Sequence, residues 1–200
     1  MESPSLQSIL AAIVRKIVEL SGSKHVVFFG SSGGGFAALE MAHRFPNSLA
    51  LAMNPQTRIT EFFPRIVSNY FNIAWGLSET DESKLPADVH TDLVSLYEGG
   101  FSNNVAIIQN ARDWFHIQKH QIPFLNVVGD SQSVIMRMDR WGVEGDNGHI
   151  PAPKDVLRPV FEQLAVASGD WKTALLRSDF QEDTTSEAVK LRVSTTASRA

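Results

Sequence analysis

The 200-residue sequence contains no cysteine. Disulfides, thiolate nucleophiles and cysteine-based zinc or iron–sulfur sites are therefore excluded, and any nucleophile must carry oxygen or nitrogen. There is also no surplus of positive charge: 18 Lys and Arg stand against 22 Asp and Glu, a net charge of −4. A chain so balanced has little with which to neutralise phosphates, so no nucleic acid and no anionic membrane surface is expected as a partner. Long apolar runs are missing as well. The most apolar stretch near the start, residues 9–18, is broken by Arg15 and Lys16 and is followed by no small-residue cleavage site. Neither a signal peptide nor a membrane span is expected, and the default expectation is a cytoplasmic protein. With 43% hydrophobic and 20% charged residues, the chain has the material for one soluble core.

Ser3-Pro4 reads as a helix cap followed by proline at the first helical position, and Leu6, Ile9, Leu10, Ile13, Ile17 and Leu20 recur at helical spacing, predicting a helix over 4–20 that stops at Gly22. Residues 25–29 form a short apolar run suited to a strand covered on both faces. A glycine-rich turn over 30–35 leads directly into a helix over 36–45, and residues 49–53 form a second buried strand ending at Asn54-Pro55. Residues 56–103 break this rhythm with helical stretches over 59–75 and 89–97, and read as an inserted helical cap. Alternation resumes with a strand over 105–108, a helix over 114–128, a strand over 134–138 and a helix over 155–167. From residue 178 the sequence is polar and aperiodic, predicting a mobile tail over 178–200 after a domain of 4–177. Strands alternating with helices imply a mostly parallel sheet, with working groups at the strands' C-terminal ends.

Gly30-Ser31-Ser32-Gly33-Gly34 fits G-x-S-x-G and lies between an apolar strand and a helix, where that motif makes chemical sense. A strand turning at once into a helix holds its serine in a strained conformation, with small residues two before and two after giving room. Ser32 is the candidate nucleophile, with Ser31 as the competing serine. The Gly33 amide, near a helix N-terminus, is placed to meet a developing oxyanion. The loop is no P-loop, because no Gly-Lys-Ser/Thr follows, and it lacks a dinucleotide-binding spacing.

A serine hydroxyl needs a base, usually a histidine oriented by a carboxylate. Of six histidines, His149 follows the last strand in a glycine-rich loop. Asp113, past the strand that follows the cap, is the first choice of acid; Asp139 is the alternative, and Asp130 and Asp146 are weaker ones. His116 and His120, four apart on a helix, could share a metal ion, but no third ligand is evident and they read as histidines on a solvated face, so no metal and no other cofactor is expected. Trp75, Trp114 and Trp141 could line an acyl or sugar site, although packing is the commoner role of such residues.

The elbow from Phe29 to Ala38, the order Ser32, Asp113, His149 and the Gly-His loop together resemble an α/β-hydrolase. More loosely, Asn54-Pro55-Gln56-Thr57 and the stretch from Gln109-Asn110 through His116 to Pro123-Phe124-Leu125 resemble bacterial hydrolase-like domains of surface polysaccharide or glycoprotein machinery. The resemblance implies a partial α/β-hydrolase fold and a serine hydrolase acting on a carboxylic ester, with an acyl group on a glycan or small molecule as substrate and Ser31, Asn54 and Gln56 on the substrate side. The rival expectation is a non-catalytic binding module or inactive fragment. The family carries several strands before the elbow, one of whose loops supplies a second oxyanion donor; here one helix precedes it. The chain therefore reads as a fragment or part of a split protein, whose exposed edge at 25–29 invites a protein partner to complete the sheet.

Overall fold

The apolar runs become strands because each is too apolar to leave either face in water. The computed structural model describes residues 5–129, 131–143 and 145–197. Helix α1 (Leu6–Ser21) is followed by β1 (Val27–Ser31), α2 (Gly33–His43) and β2 (Leu49–Met53). Helices α3 (Pro64–Trp75) and α4 (Leu93–Glu98) precede β3 (Asn104–Asn110). A short α5 (Trp114–His116) winds through a π turn, Ile117–Gln121, into α6 (Ile122–Val128). Then come β4 (Val134–Asp139), α7 (Lys154–Val166), α8 (Trp171–Leu176) and α9 (Ser186–Ala197). The expected Ser3-Pro4 cap and the Asp130 alternative lie outside the described residues; within them Ser5 caps α1, its hydroxyl accepting from the Ser8 amide at 3.2 Å.

The four strands form one all-parallel sheet in the order β1-β2-β3-β4, flanked by helices, which is a partial α/β fold. Side chains alternate across it with period two. Ala50, Ala52, Val105 and Ile107 join a core with Phe36 and Leu39 of α2, Leu93 and Tyr97 of α4, and Phe124 of α6. Leu49, Leu51, Ala106 and Ile108 join the opposite core with Val160 of α7 and Trp171 of α8. The sheet edge at β1 has no neighbouring strand among the described residues, and Phe29 there is 44% exposed. No helix among the described residues is long and apolar enough to cross a membrane.

Two expectations about organisation are corrected. The segment 56–103 is not one cap: α4 starts at Leu93 and packs Leu93, Val94 and Tyr97 into the core beside the sheet, which leaves α3 as the overlying part. Nor do the residues after 178 form a mobile tail as far as they are described. Gln181 exchanges both backbone hydrogen bonds with Met136 on β4, at 2.8 and 3.0 Å, and Thr184 donates to the Gly129 carbonyl at 2.6 Å. Val189 and Val193 of α9 are buried in the core. Two valines four apart in a polar stretch carry enough apolar surface to dock a helix, yet produce almost no periodic signal.

Candidate active site

β1 passes into α2 with a single residue, Ser32, between them. That residue sits at φ 55°, ψ −121°, a conformation that costs a non-glycine residue on the order of 1–3 kcal/mol and persists only when its surroundings fix it. Here they do. The Ser32 amide donates to the Met53 carbonyl at 2.9 Å, and the Ser32 carbonyl accepts from the amides of Phe36 and Gln56, each at 3.1 Å. Gly30 is required, because a Cβ there would lie 2.0 Å from the Gly34 carbonyl oxygen. The second small residue of the turn works differently from the expectation: a Cβ on Gly34 would meet nothing within 4 Å, whereas one on Gly35 would press on Pro55 at 3.0 Å. Close packing against the β2 turn therefore falls on Gly35.

The loop after β4 brings His149 to this elbow. Its Nε2 lies 2.9 Å from Ser32 Oγ and its Nδ1 lies 2.6 Å from Asp113 Oδ2. Both distances are those of hydrogen bonds, and the carboxylate fixes the tautomer with hydrogen on Nδ1 and a lone pair on Nε2 facing the serine. The loop is braced from several sides. Asn110 donates to the carbonyls of Gly148 (2.7 Å) and Trp141 (3.2 Å), Trp141 Nε1 donates to the Ile150 carbonyl (3.0 Å), and Asp146 accepts from the amides of Val143 and Gly148. Gly148, at φ 73°, is indispensable because a Cβ there would lie 2.4 Å from the Arg112 carbonyl carbon. That close approach sets His149 over Asp113.

Asp113 is buried and caps α5, Oδ1 accepting from the His116 amide at 3.3 Å. The same oxygen lies 2.9 Å from His116 Nδ1, so one carboxylate holds two imidazoles. The rings of His116 and His149 stack face to face, centroids 3.8 Å apart and 6° from parallel. Burial pushes the Asp113 carboxyl up, but the hydrogen bonds from His116 and His149, and their charge when protonated, outweigh it and bring it down to about 2. Next along the turn, His120 is fully buried; its Nδ1 accepts from the Thr57 amide at 3.2 Å. Burial, with the nearby His116 charge, pushes its imidazole down to about 4 and keeps it neutral.

Ser32 with Gly33, Asp113 and His149 thus come together from three separate segments, while Asp139 does not join them. Its carboxylate pairs with Arg137 Nε at 2.6 Å. Asp146, the other described alternative, serves the turn before His149. Ser31 ends β1, paired with Met53. Gln56 stays at the site, with Oε1 3.8 Å from where a Gly33 Cβ would be. Asn54, expected on the substrate side, is corrected: it is buried, its Oδ1 accepts from the Asn110 amide at 2.8 Å and its Nδ2 reaches the Ile150 carbonyl at 3.5 Å. It braces the two loops and faces no open space. His116 and His120 are likewise buried, not on a solvated face. The role of His116 escaped the sequence reading, although an aspartate three residues before a histidine at a helix start is the spacing that lets a capping carboxylate also meet the ring. Of the tryptophans, Trp141 braces the His149 loop and Trp114 is exposed.

Asp113, His116 and His149 are also the one group among the described residues whose His and carboxylate atoms lie close enough, within 4.8 Å, to share a metal ion. Both Nδ1 atoms face carboxylate oxygens at hydrogen-bond distance and the rings lie parallel, an arrangement that presents protons to the carboxylate instead of lone pairs converging on one centre. No family model, curated protein or solved structure matches the chain.

Proposed function

We propose that this chain is a serine hydrolase that cleaves a carboxylic ester. The observation that carries the reading is the unbroken hydrogen-bonded path from Ser32 Oγ through His149 to Asp113, at 2.9 and 2.6 Å. Ser32 Oγ attacks the ester carbonyl while His149 Nε2 takes its proton, and the carbonyl π electrons move onto oxygen. The Gly33 amide at the start of α2 donates to that oxyanion. Collapse of the intermediate breaks the bond to the alcohol, which leaves with the proton held by His149, and the acyl group stays on Ser32. Water then repeats the sequence in reverse, releasing the acid and restoring the serine. Asp113 stabilises the imidazolium formed in each half, and His116 holds the second carboxylate oxygen so that Asp113 cannot turn away from His149. No step calls for a cofactor. A glycan as the alcohol portion belongs to the same proposal, through the sequence resemblance, as does a cytoplasmic setting, where a fold without disulfides is at no disadvantage.

Labelling with a fluorophosphonate, followed by mass spectrometry of the modified peptide, tests this. Modification of Ser32 is expected. Modification of Ser31 instead, or none in a sample with native circular dichroism, would count against it and favour the rival reading, a non-catalytic binding module. What favours that rival is the presence of a single evident backbone donor, the Gly33 amide, for the oxyanion.

A further inference from the structure

A cavity of about 370 Å³ opens beside the elbow, between α1, α2 and α3. One end is formed by Gly33 and Gln56, so it begins at the amide assigned to the oxyanion. From there it follows one face of α2 through Ala37 to Met41. Eight residues of helix rise about 12 Å. Its walls are mostly hydrocarbon, with Leu10 from α1 and Ile66 and Ala74 from α3 facing that helix, and with the rings of Tyr70 and Trp75 beside them. The one charged residue in the lining, Glu40, is already engaged, 2.5 Å from Arg44 Nε and 3.2 Å from His90 Nδ1. Gln7, also in the lining, has both ends of its amide on the backbone of His90. Sugar hydroxyls entering here would lose water and find Gln7 and Glu40 Oε1 taken, leaving only Gln56, Tyr70 and Trp75 to meet a whole ring of hydroxyls, at a cost of roughly 1–3 kcal/mol for each group left unpaired. A methylene chain loses nothing of the kind and gains about 0.8 kcal/mol per buried CH₂.

We propose that this cavity receives the acyl half of the ester, a linear chain of roughly eight to ten carbons, the length that about 12 Å of helix face allows. Volume gives a concordant bound: at roughly 30 Å³ for each non-hydrogen atom, as for a water molecule in the liquid, 370 Å³ holds about a dozen atoms. The alcohol then lies on the opposite, His149 side of Ser32, where any glycan must sit. The inference rests on the serine hydrolase reading for its link to Ser32, but the cavity's own preference is measurable without turnover.

The test pairs calorimetric titration of decanoate into the Ser32→Ala chain with hydrolysis of p-nitrophenyl acetate, butanoate, octanoate, decanoate and hexadecanoate by the unaltered chain. The expectation is that decanoate binds and that kcat/KM rises at least about tenfold from acetate to the octanoate–decanoate range, then falls at hexadecanoate. Ala74→Phe, which adds bulk to the α3 wall of the cavity, should move the maximum to butanoate and weaken decanoate binding. Trp75→Ala should move it to longer esters, and keeps the test open if the phenylalanine variant does not fold. A maximum at acetate with no decanoate binding would overturn the inference while leaving Ser32 as a nucleophile. Decanoate binding without any hydrolysis or serine labelling would overturn the link to Ser32 while supporting the cavity's choice of an acyl chain.

Discussion

The two sides of Ser32 are built to different standards. On the side that would handle the proton, His149 is held by a buried carboxylate, the carboxylate is held by a second imidazole, and that imidazole stacks on the first. Each of the three constrains the other two. On the side that would meet the oxyanion, there is one amide at the start of α2, next to the sheet edge at β1 that has no neighbouring strand among the described residues. Proton transfer depends on the placement of a few atoms that packing can fix, whereas a second oxyanion donor has to be brought in by another part of the chain, as a backbone or side-chain N–H. The difference predicts a site whose serine is activated but whose tetrahedral intermediate is under-stabilised, by about 10²–10³ in rate for a missing donor.

The largest expected effect tests the well-built side. Asp113→Asn should lower kcat for the best p-nitrophenyl ester by about 10⁴ with little change in KM, because the amide can favour the wrong histidine tautomer while leaving the geometry intact. His116→Phe, which keeps a flat ring against His149 but gives up the bond to Asp113, should lose only about tenfold in the same assay. If the phenylalanine variant fell as far as the asparagine one, His116 would be handling the proton itself and the division of roles drawn here would collapse.

Next comes stability. His120 is neutral in the fold, with its imidazole near 4 against an ordinary 6.5, and its Nδ1 lone pair is committed to the Thr57 amide. Between those two values the unfolded chain binds the proton and the folded one does not, so unfolding is favoured as pH falls. Stability should therefore be level above about pH 6.5 and decline by about 3 kcal/mol toward pH 4. Urea titrations across that range will show it. His120→Gln, which can still accept from Thr57 but carries no titrating group, should flatten the slope; an unchanged slope would place the sensitivity elsewhere.

The smallest effect probes the thin side. The amide oxygen of Gln56 is the end that faces Gly33, so this side chain offers no N–H to an oxyanion as it stands. Gln56→Ala should change kcat by less than about threefold. A loss of 10² or more would mean that the amide turns over when substrate binds and supplies the second donor, which would remove the asymmetry between the two sides.

Much of this arrangement could be read in advance because it is local. A run such as Leu49–Met53 has no polar residue and must be covered on both faces, and a glycine-rich turn between strand and helix leaves few conformations to the serine within it. Chain order then points to Asp113 and His149. The sequence put Asp113 ahead of Asp139 without excluding the latter, since both follow strands; pairing of Arg137 with Asp139, and burial of Asp113 under Gly148, depend on how the ends of β3 and β4 lie side by side. Nor could it show that His116 lies flat on His149, that Asn54 ties one loop to another, or that two valines suffice to dock α9. Periodicity records which way a residue faces within its own element, and those contacts join elements distant in the chain. Only the packed sheet brings them within reach.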